Sequence, residues 1–513
     1  MTDLKDQHVL ILGLGDSGLA MARWCTRLGA RVSVADTRAE PPQLEALRKD
    51  LPQARFVCST LDTSLLANEV RWVFKSPGLS PLEVAAVLEG AQQTGIPVGS
   101  ELSLFTQALH QLKTEQNYAP CVLAITGSNG KTTVTALTTQ LVHRAGKRVT
   151  MAGNIGPTLL DTLTYCLEST GLPDVWVLEL SSFQLDGMQD FEPTVATVLN
   201  ISQDHLDWHG NMAHYTQAKA RIFGPATLRV LNRNDPSVMA MLPLQAKGKP
   251  LQAVKPLQTI TFGYDMPQQA GDFGMEVVNG MAWLVRAQDD EVTYKPKKGE
   301  VQALHIQRLM PADALRIRGR HNATNALAAL ALAHAGGCSL APILYGLREY
   351  RGEPHRLESL GLIDGVEYFD DSKGTNVGAT VAAINGLGSD MTILAGSGPK
   401  LLVILGGVGK GQDFSLLLEP VGRYARVVIL LGRDAPMIDL ALQSSGVERL
   451  HATSMAHAVE LAHARALTGD AVLMSPACAS FDMFDNYAHR AQVFRDAVTS
   501  LASETGILEG GVV

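Results

Sequence analysis

Lys131 and Thr132 carry the strongest chemical signal in this chain of 513 residues. They close the turn Thr126-Gly127-Ser128-Asn129-Gly130, Thr133 comes next, and the apolar run Cys121–Ala124 leads in. Strand, glycine-rich turn, Lys-Thr and helix form an arrangement that binds nucleotide phosphates. Backbone N–H groups of the turn face the anion, the lysine neutralises it, and the first threonine hydroxyl can ligate Mg²⁺. The usual pattern has a further glycine where this chain has Ile125, so the loop is a variant. A bare Gly-Lys-Thr also describes a solvated turn with a surface lysine; the flanking strand and helix favour the nucleotide.

A second glycine turn, Gly13-Leu14-Gly15-Asp16-Ser17-Gly18, follows the short strand His8–Leu12 and opens a helix at Leu19–Leu28. It fits the dinucleotide fingerprint, with Asp36 ending the next strand where a ribose-binding acid belongs. The motif reports only a close approach of backbone to a diphosphate. NAD, a UDP-sugar, or a tight turn with no ligand all satisfy it.

Two acids and an imidazole end further apolar strands. Glu179 lies in Leu178-Glu179-Leu180-Ser181-Ser182-Phe183-Gln184, and Asp204-His205 in Asn200-Ile201-Ser202-Gln203-Asp204-His205-Leu206-Asp207. Ligands collect at the C-terminal ends of strands in open α/β sheets. Glu179 suits Mg²⁺ beside a nucleotide, because hard cations take carboxylates and phosphate oxygens. His205 can ligate a second ion or touch substrate. The plainer alternatives are a helix cap for Asp204 and a packed ring for His205.

The elements that must hold these groups alternate strand and helix throughout. Arg31–Ala35, Trp72–Lys75 and Ile96–Gly99 continue a doubly wound first domain to about residue 110, and the polar stretch Gln111–Ala119 reads as a linker. Strands at Val175–Glu179 and Thr194–Asn200 follow the phosphate loop, then helical segments to about Ile222. Residues 225–318 suggest an irregular β excursion around Thr259–Phe262 and Trp283–Val285, and Asn322–Ala335 a buried helix. Arg351-Gly352-Glu353-Pro354 breaks the pattern, and Val366–Phe369, Leu401–Leu405, Val427–Leu431 and Ala471–Met474 begin it again. The expected fold is α/β in three domains: Rossmann-like over 1–110, P-loop ATPase-like over 111–352, and Rossmann-like over 353–513.

Composition excludes several classes. Apolar residues make up 46% and charged residues 18%, an ordinary globular balance, and the net charge of -8 comes with no run of Lys or Arg. That argues against a nucleic-acid surface. The polar start Met1–Asp6 is no signal peptide, and no apolar stretch nears the roughly 20 residues that span a bilayer. Six scattered cysteines without a Cys-x-x-Cys read as reduced thiols of a cytoplasmic protein.

Five motifs then occur in one order: Thr-Gly-Ser-Asn-Gly-Lys-Thr, Glu-Leu-Ser-Ser-Phe-Gln, Asn-Ile-Ser-x-Asp-His-Leu-Asp, Arg-His-Asn-x-x-Asn and Asp-Ser-Lys-x-Thr-Asn. The series resembles the ATP-dependent Mur ligases of peptidoglycan synthesis. Their D-glutamate-adding branch is favoured by the first glycine turn, Lys75-Ser76-Pro77-Gly78, Asp370–Asn376 and Ser475–Asp482. The resemblance covers all three domains.

It implies a cytoplasmic, ADP-forming ligase of cell-wall biogenesis, cell shape and division, joining D-glutamate to UDP-N-acetylmuramoyl-L-alanine through an acyl phosphate. It is expected to act as a monomer with no membrane or nucleic-acid partner. ATP would meet Gly127, Ser128, Asn129, Gly130, Lys131, Thr132 and Thr133, with Asn322 and Asn325 on the nucleotide, Arg356 on phosphate and Asp371 on ribose. Two Mg²⁺ ions would use Thr132, Glu179, His205 and Lys219. The last of these matches the lysine carbamylated in the family; by itself it is a lysine on a helix. Gly15, Asp16, Ser17, Thr37, Arg38, Ser76, Pro77 and Gly78 would hold the UDP end, Asn154 the muramoyl part, and His205 would also face substrate. Lys373, Thr375, Lys410, Ser480 and Tyr487 would receive D-glutamate, the two lysines matching its two carboxylates. Val408 stands where the family often has an Asp, and Tyr487 where a Phe occurs.

Other readings explain less. A different Mur-type amino-acid ligase would share nearly everything. A folylpolyglutamate-synthase-like ligase would begin at the phosphate loop. An NAD-dependent oxidoreductase leaves Lys131 and Lys373 idle, and a non-catalytic nucleotide binder leaves Glu179, His205 and Lys219 without a task. Three domains around one site also imply closure of the third onto the second when ATP and the UDP-substrate bind.

Overall fold

Short runs of fully buried β-branched and aliphatic residues recur along the chain. Such runs form strands covered on both faces, which parallel sheets require. The computed structural model describes residues 4–66, 69–242, 259–289, 304–395, 398 and 400–505. β1 (His8–Leu12), β2 (Arg31–Asp36), β3 (Arg55–Cys58), β4 (Val70–Lys75) and β5 (Val98–Ser100) form a parallel sheet ordered β3-β2-β1-β4-β5. The order reverses between β1 and β4, so a crevice opens beyond their C-terminal ends.

A second parallel sheet contains β6 (Cys121–Thr126), β7 (Val149–Gly153), β8 (Val175–Glu179), β9 (Val195–Val198), β10 (Leu228–Asn232) and β11 (Thr259–Phe262). Its order is β11-β10-β9-β6-β8-β7, with β6 central. The phosphate loop leaves β6 at the reversal, between β8, which ends at Glu179, and β9, which leads to Asn200. The β excursion proper is a three-stranded antiparallel sheet of β12 (Phe273–Val278), β13 (Met281–Asp289) and β14 (Leu304–Pro311). The segment Thr259–Phe262 belongs instead to the parallel sheet. Of the stretch 225–318, residues 243–258 and 290–303 lie outside the described residues.

The last sheet holds β15 (Glu358–Ile363), β16 (Val366–Asp370), β17 (Leu401–Leu405), β18 (Ala425–Leu430), β19 (Glu448–His451) and β20 (Ala471–Met474), ordered β15-β16-β20-β17-β18-β19. Only β15 runs antiparallel to its neighbour.

The expected linker is shorter than its polarity suggests. The helix Glu101–Gln116 runs through Gln111–Gln116, burying Leu112 while the polar side chains face solvent. Asn117 ends it in the left-handed conformation at φ 54°, as Asn does most readily after Gly. One apolar cluster then joins the first two sheets, and Phe105 meets Trp176 edge-on at 5.1 Å between ring centres. Among the described residues, no helix is long and apolar enough to cross a membrane.

Candidate active site

The phosphate loop is built by its neighbours as much as by its own glycines. Gly130 sits at φ 83°, where a Cβ would stand 2.7 Å from Asn325 Oδ1, so both space and conformation demand glycine. Asn129 N–H donates to Asn200 Oδ1 at 2.8 Å, and Asn200 Nδ2 returns a bond to the Asn129 carbonyl at 3.0 Å. Ser128 Oγ shares a hydrogen bond with Tyr215 OH at 2.9 Å and accepts one from Ser202 N–H at 2.9 Å. Lys131 Nζ donates to the carbonyls of Gly127 and Ser128, both at 2.8 Å. Thr133 is buried behind it.

Glu179 and Lys219 lie on either side of this loop, each 1% exposed. Glu179 Oε1 accepts from Asn154 Nδ2 at 2.9 Å, while Oε2 is buried without a partner. Lys219 is in the helix Met212–Ala220, four residues after Tyr215, so both side chains point at the loop. Its Nζ donates to the Gly127 carbonyl at 2.9 Å and to Thr126 Oγ1 at 3.3 Å, and lies 4.8 Å from the Tyr215 ring centre. Burial drives its pKa far down, and the Lys131 ammonium adds to the effect against Asp204 and Glu179. Burial also lowers Lys131, opposed chiefly by Glu179. His205 has φ 52° and packs edge-on to Phe183; burial lowers its pKa, with Asp204 opposing and Lys410 reinforcing.

The last sheet brings its loops against this edge. Arg356 Nη2 donates to Thr132 Oγ1 at 2.5 Å, and Asn376 Nδ2 reaches Asn129 Oδ1 at 3.1 Å. Burial pushes the Asp371 carboxyl up to about 7, against its bond from Ser475 Oγ and the charge of Arg356. Burial first, then Arg356, lowers Lys373 to about 8, and its Nζ sits 3.6 Å above the Tyr487 ring. The Tyr487 carbonyl accepts from Ser372 Oγ at 2.7 Å, pinning the end of the helix to the lysine loop. Thr375 N–H donates to the Lys373 carbonyl, and Ser480 is buried beside the same loops. Lys410 also has positive φ, 52°, next to Val408, whose backbone bridges Ala479 in both directions at 2.8 and 2.9 Å. Backbone alone makes that bridge, so the valine costs it nothing. Asn322 and Asn325 stand one turn apart and bond each other at 3.2 Å.

His355, Glu358 and Asp370 gather within 4.8 Å, a set able to hold a metal. They are already committed within the chain: His355 Nδ1 to Asp370 Oδ2 at 2.7 Å, and Glu358 to Arg495 at 2.9 Å. Their effect is to fix the turn that aims Arg356.

The first sheet holds a separate group. Gly15, Asp16 and Ser17 begin the helix Asp16–Arg27, and a Cβ at Gly18 would stand 2.0 Å from the Gly13 carbonyl. Ser76 Oγ donates to that same carbonyl at 3.0 Å, drawing Ser76, Pro77 and Gly78 against the turn. Asp36 uses both oxygens internally: Leu14 N–H and Arg38 Nη2 on one, Arg38 N–H and Nε on the other. Burial alone would raise its pKa, but those bonds from Arg38 and Leu14 hold it at about 2. A carboxylate so engaged is not free for ribose hydroxyls, which weakens the NAD reading, and it fixes Thr37 and Arg38 at the rim.

Lys131, Thr132, Glu179, His205 and Lys219 thus share the edge of the second sheet, with Arg356, Asp371 and Lys373 facing it. Sequence reasoning gave no role to Asn200, Tyr215 or Asn376 and left a helix cap as the plainer reading of Asp204. Tyr215 had a signal in its four-residue spacing from Lys219; Asn376 ends the motif Asp-Ser-Lys-x-Thr-Asn, but its partners lie 172 and 247 residues away, so its contacts were not legible.

Three family models match in chain order: the MurD-like N-terminal domain over residues 7–100, the Mur ligase middle domain over 125–333, and the Mur ligase glutamate ligase domain over 355–478. The chain is 64% identical over 507 residues to the UDP-N-acetylmuramoylalanine--D-glutamate ligase of Albidiferax ferrireducens, covering 99% of this chain and 98% of that one. It is 54% identical over 517 residues to the enzyme of the same name from Ralstonia nicotianae, covering 99% of each. Among solved structures, MurF ligase from Thermotoga maritima in complex with ADP superposes with a TM-score of 0.56 at 16% identity, covering 98% of this chain and 97% of that one, a likeness of fold.

Proposed function

The chain belongs to the Mur ligase family, and from that premise we propose that it joins D-glutamate to UDP-N-acetylmuramoyl-L-alanine at the expense of ATP. The roles divide as residues 1–110 for the UDP end, 111–352 for ATP and 353–513 for the amino acid. The observation that carries the reading is the facing of Lys373 and Arg356 toward Lys131 and Thr132 of the phosphate loop, beside which Lys219 is buried.

A carboxylate is a poor electrophile, so its oxygen first attacks the γ-phosphorus of ATP and ADP leaves. The amine of D-glutamate then attacks the acyl carbon, the acyl C–O bond breaks, phosphate departs and the amine loses a proton. Both steps gather negative charge, and fixed cations in a dry site stabilise it best. Lys131 and Arg356 face the phosphates, with Gly127, Ser128, Asn129 and Gly130 offering backbone. Asn322, Asn325 and Asp371 serve the rest of the nucleotide. Lys373 and Lys410, with Thr375, Ser480 and Tyr487, receive the two carboxylates of D-glutamate. Gly15, Asp16, Ser17, Thr37, Arg38, Ser76, Pro77 and Gly78 hold the UDP end, and Asn154 the muramoyl portion.

Two Mg²⁺ ions fit the donors present: Thr132, Glu179 with its unpartnered Oε2, His205, whose burial favours the neutral ring, and Lys219. When bound, they supply charge neutralisation at the transferring phosphoryl group. Lys219 contributes as its carbamate. Its burial favours the neutral amine, and only a neutral amine can attack CO₂, forming an N–C bond and releasing a proton. We assign the protein to the cytoplasm, as a monomer.

Phosphate release from ATP and Mg²⁺ with UDP-N-acetylmuramoyl-L-alanine, across D- and L-amino acids, tests the reading. Release with D-glutamate alone is expected. Release with another amino acid would move the chain to a sibling ligase, and no release under any pairing would overturn the proposal.

A further inference from the structure

Lys75 ends β4, half-buried where the first two sheets meet. Lysine is among the residues least often buried unless paired. Here the side chain makes no hydrogen bond or ion pair with a described residue. Its Nζ lies 5.7 Å from the centre of the Trp208 ring, and its pKa is lowered by burial, with Asp186 pulling the other way. Desolvating a cation against an indole with no carboxylate of the described residues in bonding reach is costly, and the cost is offset when an anion arrives.

The location says which anion. Lys75 pairs with Leu12 across β1 and β4, at the reversal of strand order. The next residue, Ser76, is bonded to Gly13, the first glycine of the turn that opens the helix Asp16–Arg27. Trp208 comes from the opposite side, three residues after His205, and packs on Phe183 at 4.7 Å and His209 at 4.4 Å between ring centres. His209 in turn meets Tyr215, whose ring carries Lys219. The Lys75–Trp208 pair therefore stands between the diphosphate turn and the reaction centre.

We propose that Lys75, held in place by the Trp208 ring, is a binding residue for the diphosphate of the UDP-substrate, and that Trp208 is its positioning residue from the second domain. The inference rests on the reading that this chain takes a UDP-linked sugar. A charge-assisted bond from a half-buried ammonium is worth about 10- to 100-fold in affinity. Because Trp208 sits in the short helix Leu206–His209 beside the second sheet while the cation ends a strand of the first, docking of the two and diphosphate binding favour each other.

Calorimetric titration of the full chain with UDP, and separately with UDP-N-acetylmuramoyl-L-alanine, tests this in wild type, Lys75→Met, Lys75→Gln and Lys75→Arg. Lys75→Met and Lys75→Gln are expected to weaken both ligands by the same factor, about tenfold or more. KM for the UDP-substrate rises with it while kcat stays within about twofold, and Lys75→Arg regains most of the loss. Trp208→Leu gives a smaller loss of the same kind and lessens the dependence of UDP affinity on ionic strength. Equal UDP affinity in wild type and both uncharged variants overturns the proposal, as does a fall in kcat at unchanged affinity. A wild type that binds neither ligand overturns the underlying reading instead, and the two failures are distinct.

Discussion

Asn376 and Asp204 meet across two sheets: Asn376 Nδ2 donates to Asp204 Oδ2 at 3.1 Å, and the same nitrogen reaches Asn129 Oδ1 at 3.1 Å. One amide at the end of the Asp370–Asn376 loop thus touches both the phosphate loop and the acid beside His205. With Arg356 on Thr132, it forms the latch between the second and last sheets. Asn376→Ala removes a buried bond to a charged acceptor, worth about 1.5–3 kcal/mol. We expect kcat to fall about 10- to 100-fold with little change in the affinity for UDP. Asn376→Asp sets a second carboxylate against Asp204 and falls further. Steady-state phosphate release on the two variants decides it, and wild-type turnover in both would remove the latch from the mechanism.

Lys219→Ala is expected to lower turnover by at least about 10²–10³, the effect of deleting one member of a buried charged set. Formate or acetate should return part of the activity by supplying the missing carboxylate. Wild type freed of CO₂ should lose turnover and regain it with bicarbonate. Full activity in the alanine variant would rule the carbamate out.

Lys373 gives the amino-acid site a pH dependence of known sign. Its pKa is lowered to about 8 by burial and by Arg356, so the cation is present below that pH and lost as pH rises through it. Affinity for dicarboxylates should therefore decline above about pH 8. Glutarate isolates the effect, since it keeps both carboxylates and has no amine to titrate. Its inhibition constant should rise with pH in wild type and stay flat over the same range in Lys373→Arg.

How much of this was legible in the sequence follows from the range of the interactions. The phosphate loop and the first glycine turn are local, and their strand-turn-helix frames stand where the pattern puts them. The helix through Gln116 was hidden because its outer face is polar and only Leu112 marks the buried side. The strand Val149–Gly153 was missed because it lies at a sheet edge, short and half-buried. Asp204 looked like a cap until Asn376 arrived from another sheet. Lys219 is an unremarkable helix lysine in sequence; only the packing of Tyr215, Thr126 and Gly127 around it reveals a desolvated amine.

His321 makes stability pH-dependent in the opposite sense. Burial lowers its pKa to about 4, against a backbone bond with Ala382, and Nδ1 has no partner. The unfolded chain binds the proton first, near 6.5, so the stabilisation is complete above that pH and is lost as pH falls toward 4. The effect is on the order of 2 kcal/mol for a ring that keeps some solvent contact. Melting curves at pH 7.5 and 5 should separate more in wild type than in His321→Gln; equal separation would remove His321 as the cause.

The apolar cluster shared by the first two sheets runs from Leu4 through Phe105 and Trp176 to Val238, whereas the clusters around the last sheet draw only on residues from Leu357 onward. The three large sheets therefore amount to two cooperative units. A scanning calorimeter should resolve two transitions, with the first two sheets melting together. On the ribosome the opening hundred residues must wait for β8 and Trp176 before their lower face is covered, while the last segment can complete its own interior as soon as it emerges.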